Sequence, residues 1–318
     1  MATRDEDPRQ EAPDAEDASL AERVAAMRLD TAHVVDGVLS GMHRSPHRGA
    51  SVVFVEHRDY RPGDDLRLLD WRAYARNDRH VTKRFEQETE LSLHLWIDAS
   101  ASMAYGDGAE EKARCAATLL SAFATLTRAQ GDAVGVVRFD REVLAELPPR
   151  TSPAHVRAVL DELATPPARG SRTSLEGALT ELLERTRRRG IVLVASDLLD
   201  LAEGALTPIE LAARRGHDVR VFQILHRDEL ELPGDGPAVF DGLEGEPAVE
   251  ADPAEVRAAY LEELGKHLET CRRIILDAGA SYRLVRTDEP LAGVLTEALL
   301  ERGPGRVGTL GAARARWA

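Results

Sequence analysis

Lysine is scarce in this 318-residue chain: Lys83, Lys112 and Lys266 stand among 41 basic residues, and all the others are arginine. None of the three lies in a Gly-Lys-Ser/Thr sequence, which excludes a phosphate-cradling P-loop. Cysteine is scarcer still. Cys115 and Cys271 lie far apart with no Cys-x-x-Cys spacing, so a disulfide framework and a thiolate zinc site are excluded. They read as buried thiols of a reducing compartment. No apolar run reaches the ~18–20 residues of a membrane span, and the N-terminus is acidic where a signal peptide would be basic and then apolar. The expectation is a cytoplasmic protein with no membrane span. Positive charge is also short overall. The net charge of -14 argues against a general nucleic-acid grip, which needs surface that neutralises phosphates. A Gly-x-Ser-x-Gly elbow, a His-Glu-x-x-His helix and a Gly-x-Gly-x-x-Gly turn are all missing.

What is there reads as four stretches. Residues 1–19 hold seven acids and two prolines with almost nothing to bury, an acidic tail expected to be disordered. Residues 20–90 open with one amphipathic helix, since Leu20, Val24, Met27, Val34, Val35 and Val38 recur at roughly helical spacing. A Gly41–Gly49 loop follows. Its His43 and His47 are separated by Pro46, which forbids a regular helical pair of ligands. From Glu56 to Glu90 nine acids interleave with eight Lys/Arg and with Tyr60, Trp71, Tyr74 and Phe85. That mixture predicts a small β-rich element cross-linked by Arg–carboxylate pairs, with a turn at Pro62-Gly63. Residues 302–318 form a Gly/Arg/Ala-rich tail.

The third stretch, 91–301, alternates strands and helices in an α/β order that predicts a doubly wound, mostly parallel sheet with flanking helices. Leu91–Ile97 is apolar enough to be buried on both faces. A helix is predicted over Glu110–Ala129 with a stop at Gly131, then a strand over Ala133–Phe139 and a short antiparallel edge strand over Glu142–Leu147. A helix over Pro153–Ala164 and another running to about Arg188 precede a strand over Ile191–Asp197. Beyond it come a helix over Leu206–Arg215, a strand over Asp218–Leu225, a hairpin around Gly242–Gly245, a long helix over Ala254–Ala278, a strand over Tyr282–Arg286 and a last helix over Leu291–Leu300.

The first of these strands runs into Asp98-Ala-Ser100-Ala-Ser102, one carboxylate and two hydroxyls at alternate positions. Such a loop, past the carboxyl end of a buried strand, stands where open α/β sheets bind ligands. Alone, Asp-x-Ser-x-Ser is more often a capped turn leading into a helix. With Thr173 in a later loop and Asp197 ending a second apolar strand, it assembles five oxygen donors suited to a hard cation.

These donors resemble the metal-ion-dependent adhesion site of von Willebrand factor A (vWA) domains. Further segments are similar to the signature of the bacterial DUF58 family: Ser45–Glu56, Arg58-Asp-Tyr-Arg-Pro-Gly-Asp-Asp-Leu-Arg67, Asp70-Trp71, Ala75-Arg76, Phe85-Glu86-x-Glu88, Tyr260 and Tyr282–Leu291. The resemblance covers roughly residues 20–301. It implies a vWA-like domain, with Ser100, Ser102 and Thr173 as direct ligands of magnesium (manganese or calcium being alternatives) and Asp98 and Asp197 direct or through water. It also implies a protein-binding adaptor, not an enzyme, working with a MoxR-type AAA+ ATPase on a client protein that offers a carboxylate. Ser174 and Asp200 are alternative donors. The chain departs from the family's membrane-anchored forms and from its commoner Gly-Gly-Thr loop, reading Gly-Ser-Arg-Thr173 instead.

Two other readings stay open. In a magnesium-dependent phosphatase, Asp98 would be the nucleophile. That chemistry wants a second carboxylate where Ser100 stands and a lysine to steady the charge, whereas Lys112 is expected out on a helix. A scaffold without metal would be indifferent to chelation.

Overall fold

The computed structural model describes residues 27, 30–35, 57–59, 81–83, 92–167, 177, 180, 183, 189–199, 204–243, 245 and 247–300. The chain divides into two compact units, one of Met1–Ser45 with Leu91–Leu310 and one of Pro46–Glu90 with Gly311–Ala318. In the smaller unit, β1 (His57–Asp59) and β2 (Val81–Lys83) pair antiparallel, with Arg58 opposite Thr82. The turn expected at Pro62-Gly63 lies outside the described residues, as do His43 and His47.

The larger unit is a mixed α/β domain. Its main sheet has six strands, β3 (Ser92–Asp98), β4 (Ala133–Phe139), β5 (Val143–Arg150), β6 (Ile191–Ser196), β7 (Asp218–Leu225) and β10 (Ser281–Arg286), in the order β10-β7-β6-β3-β4-β5. All neighbours are parallel except β4 and β5. The mostly parallel sheet and its antiparallel edge agree with the sequence pattern. A small hairpin of β8 (Ala238–Phe240) and β9 (Val249–Ala251) stands apart from the sheet.

The strands between the edges are mostly apolar and almost entirely buried because helices cover both faces. Along β3, Leu93, Leu95 and Ile97 share a buried cluster with Leu119, Leu120 and Phe123 of α1 (Lys112–Ala129). Trp96 joins the opposite cluster, with Val192, Val194, Ile209 of α3 (Thr207–Arg214) and Ile275 of α5 (Pro253–Asp277). Each fully buried Leu or Phe stabilises this arrangement by about 1.5–3 kcal/mol.

Local chemistry sets the ends of the elements. Helix α2 (Pro153–Leu163) starts with Pro153 in its first turn and with the Ser152 hydroxyl accepting the His155 N–H as its cap. At the end of α1, Gly131 adopts φ +85° while its N–H and that of Asp132 reach back to Arg128 and Thr127. That double return is the Schellman stop for which a left-handed glycine is suited. Gly135 in β4 has a different reason: a Cβ there would lie 2.7 Å from the Leu147 carbonyl oxygen of β5. The edge strand β5 carries Pro148 and Pro149, tolerable only where a ladder bond is dispensable. Two short helices complete the unit, α4 (Arg227–Glu231), which the sequence pattern does not announce, and α6 (Leu291–Leu300). The N-terminal helix is described at residues 27 and 30–35, where Met27 is buried and Asp30 pairs with Arg114 of α1.

Candidate cation site

The site is built by register. In the parallel pair β3–β6, Ile97 lies opposite Ala195, so the next residues, Asp98 and Ser196, leave the sheet at the same level. The Ser196 hydroxyl donates to Asp98 Oδ2 at 2.6 Å, and the Ser100 backbone N–H donates to Oδ1 at 2.9 Å. Ser100 begins a 3-10 turn over Ala101–Ala104, yet its side chain makes no cap bond. Its Oγ instead lies 3.0 Å from that of Ser102. The Asp98 loop is therefore a turn stabilised by its carboxylate, with two hydroxyls brought together beyond it.

Asp197 follows β6 and is held by its backbone and both carboxylate oxygens. Gln223 Nε2 donates to its carbonyl at 2.7 Å, and Tyr282 Oη donates to Gln223 Oε1 at 2.8 Å. Oδ1 accepts the Leu199 N–H at 3.3 Å, while Oδ2 accepts from Lys112 Nζ at 2.9 Å. Leu198 between them has φ +52°, a left-handed conformation that costs a non-glycine residue on the order of 1 kcal/mol. A glycine would occupy that position without strain, but leucine buries its side chain there.

Asp98, Ser100, Ser196, Asp197 and Lys112 are all buried. Burial first, and then the charge of Asp197, push the Asp98 carboxyl well above the usual carboxylate range, against the hydrogen bonds from Ser196 and Ser100. Burial alone would depress the Lys112 ammonium, but Asp197 and Glu229 outweigh it and hold it above the ordinary lysine value. Lys112 Nζ donates to Glu229 Oε1 at 2.6 Å as well. Glu229 belongs to α4, where its Oε2 accepts the His226 N–H and closes a capping box.

Of the five donors expected from the sequence, Asp98, Ser100, Ser102 and Asp197 fall at the carboxyl edge of neighbouring strands. Thr173 lies outside the described residues, as do Ser174 and Asp200. Two participants escaped the sequence reading, Ser196 and Glu229, and a third, Lys112, was placed wrongly. The expectation that Lys112 sits out on a helix needs correcting. It starts α1 but turns inward, because Asp197 and Glu229 offer an ammonium what solvent otherwise would. A lysine in a first helical turn, where the helix dipole disfavours a cation, was the available signal.

The side chains gathered here are hard oxygen donors in kind: the carboxyl of Asp98, the paired hydroxyls of Ser100 and Ser102, and the carboxylate of Asp197. Among the described residues no three His, Cys, Asp or Glu side chains converge as a metal cluster. Any ion here would rest on Asp98 and Asp197 together with serine hydroxyls and water. A cleft of about 210 Å³ opens beside Asp98, walled by Ile97, Ala99, Arg114 and Arg138. Arg114 pairs with Asp30, and Arg138 with Glu162 at 2.7 Å.

The fold and site thus define a mixed α/β protein with a cluster of buried carboxylates and hydroxyls at the carboxyl edge of a mostly parallel sheet. The chain belongs to the DUF58 family, described as a protein of unknown function, which it matches over residues 56–270. It is similar to the uncharacterized protein Rv1480 of Mycobacterium tuberculosis, 29% identical over 285 residues that span 86% of this chain and 87% of the other. A shorter similarity, 38% over 79 residues, links it to the uncharacterized protein YeaD of Bacillus subtilis and covers 24% of this chain and 19% of YeaD. Among solved structures it is similar to BatB from Bacteroides thetaiotaomicron, with a TM-score of 0.46, 16% identity, and 65% of this chain and 96% of that chain covered. An aerotolerance-related membrane protein from Bacteroides fragilis gives a TM-score of 0.43 at 17% identity over 65% and 96% of the two chains. Among the described residues no helix is long and apolar enough to cross a membrane.

Proposed function

We propose that this DUF58 protein is a non-enzymatic, cation-dependent protein-binding adaptor with a vWA-like domain. Asp98, Ser100 and Ser102, joined by Asp197 and by Thr173 of the later loop, would hold magnesium, with manganese or calcium as alternatives. A bound divalent cation supplies Lewis-acid attraction for an outside carboxylate. The chain's residues do the rest: Ser196 and the Ser100 N–H orient Asp98, Gln223 and Tyr282 anchor Asp197, and the neighbouring cleft leaves room for an acidic side chain of a client protein. In this reading a MoxR-type AAA+ ATPase supplies the work in complex assembly or maturation, in the cytoplasm.

The observation that carries the proposal is the juxtaposition of Asp98 and Asp197. Burial and the neighbouring Asp197 charge raise the Asp98 carboxyl, so the two buried acids form a pair that a cation would relieve. Titration calorimetry with magnesium or manganese tests it directly, with Asp98→Asn expected to abolish binding and leave the fold intact. Binding of the recombinant MoxR-type ATPase or of its client should then be lost both in Asp98→Asn and in EDTA. Unchanged cation binding in the variant would sink the reading.

One observation favours a second reading. Lys112 reaches Asp197 and so supplies the charge-steadying lysine that a phosphatase at Asp98 needs, although Ser100 still occupies the position of the second carboxylate. Magnesium-dependent turnover of p-nitrophenyl phosphate that Asp98→Asn removes would transfer the site to that class.

A further inference from the structure

Lys112 is a fully buried ammonium at the positive end of a helix, an arrangement unfavourable on two counts. Two carboxylates from distant segments compensate it, Asp197 and Glu229, which lie 85 and 117 residues away in sequence. The two are not equivalent. Asp197 is shut in, with its second oxygen on the Leu199 N–H. Glu229 is 16% exposed and belongs to a helix cap that Tyr260 also grips, through a hydrogen bond to the Glu229 carbonyl at 2.8 Å. Tyr105 completes the surroundings, its ring centre 5.9 Å from the ammonium. In a chain where nearly every basic residue is arginine, the cation chosen here is a lysine. A compact charge on a flexible stem can shift between two carboxylates, whereas the planar fork of arginine would be committed to one geometry.

We propose that Lys112 is the built-in competitor of the divalent cation. Its ammonium neutralises Asp197 when no ion is bound and transfers its share to Glu229 when an ion takes Asp197. This rests on the cation reading of Asp98 and Asp197, and it adds a residue that sets the site's affinity without being a ligand. Like charges cannot share the Asp197 carboxylate at close range, so Lys112 weakens cation binding, and Glu229, by receiving the ammonium, strengthens it. The two substitutions therefore have opposite signs, which a purely structural ion pair would not produce. Loading the site also carries a signal outward, from the strand end to the cap of α4.

The test is manganese affinity of the full chain, read from the paramagnetic resonance of free manganese. Glu229→Gln, which leaves the ammonium only Asp197, should bind about threefold more weakly than wild type, and Lys112→Met about tenfold more tightly. Because Lys112→Met leaves two carboxylates uncompensated at a cost to folding, Lys112→Met in the Glu229→Gln background provides the decisive pair. Against Glu229→Gln alone it should tighten binding about tenfold. Equal affinity in that pair overturns the competitor role and leaves the cation reading intact. Absence of Asp98-dependent manganese binding in every variant overturns both.

Discussion

At the amino end of β7, Arg220 is buried against Asp218, two residues away on the same strand, and donates to the Ala298 carbonyl. At the carboxyl ends of β3 and β6, Asp98, Ser196, Asp197 and Lys112 are buried as deeply but draw on partners in separate segments. The first arrangement balances one cation with one carboxylate inside a single strand. The second sets Asp98, Asp197 and Glu229 against one ammonium. A closed local pair needs nothing from outside. An unbalanced cluster built across segments leaves a charge for something else to meet, which is why the proposed recognition is placed at the carboxyl end.

The largest effect that would sharpen this contrast is on stability. Lys112→Met and Arg220→Met each leave buried acid uncompensated and should cost about 3–5 kcal/mol by urea unfolding in EDTA. Magnesium should narrow the gap between Lys112→Met and wild type by about 1.4 kcal/mol at saturation, the worth of a tenfold difference in affinity. The Arg220→Met gap should not move. If magnesium treats both variants alike, the two ends do not differ in kind.

The amino end has its own titrating group. His94 is largely buried, its Nε2 has no hydrogen-bond partner among the described residues, and His217 lies beside it with ring centres 6.4 Å apart. Burial and then His217 pull the His94 pKa down to about 4. The imidazole is thus neutral in the folded chain, while the unfolded chain takes up a proton near pH 6.5. This contribution is complete above that pH, falls as pH drops toward about 4 and is flat below, a loss of about 3 kcal/mol at most. Unfolding of wild type and His94→Leu at pH 7.5 and pH 5 checks it: the difference between the two proteins should shift in the variant's favour at the lower pH.

Smaller effects follow at the carboxyl end. Ser196→Ala removes a hydrogen bond to a buried carboxylate and should cost about 1.5–3 kcal/mol in chelator. Tyr282→Phe, two contacts from Asp197, should cost about 1 kcal/mol. Equal losses for the two would mean that support for Asp98 and support for Asp197 are not graded by distance from the charge.

Much of the fold was legible. The apolar runs at Ser92–Asp98 and Ile191–Ser196 announce strands covered on both faces, and Gly131 and Ser152-Pro153 mark helix ends through local chemistry. The edge strand beginning near Glu142 was expected short and antiparallel, and it runs on through Pro148 and Pro149 to Arg150. Helix α4 was not legible. Five residues carry no periodicity, and its start depends on a His226–Glu229 capping box that lacks the usual Ser or Thr.

The sequence by itself determined that Asp98 and Asp197 end buried strands and that Ser100 and Ser102 lie just beyond, because strand burial and turn formation depend on neighbours a few residues away. Only the tertiary structure decided what surrounds them. Parallel register levels Ser196 with Asp98, 98 residues apart, and packing of α1 and α4 brings Lys112 to Asp197 and Glu229. Side chains that meet across such separations leave no periodic trace. Their pairing is set by electrostatics in a buried space that exists only after the sheet has formed.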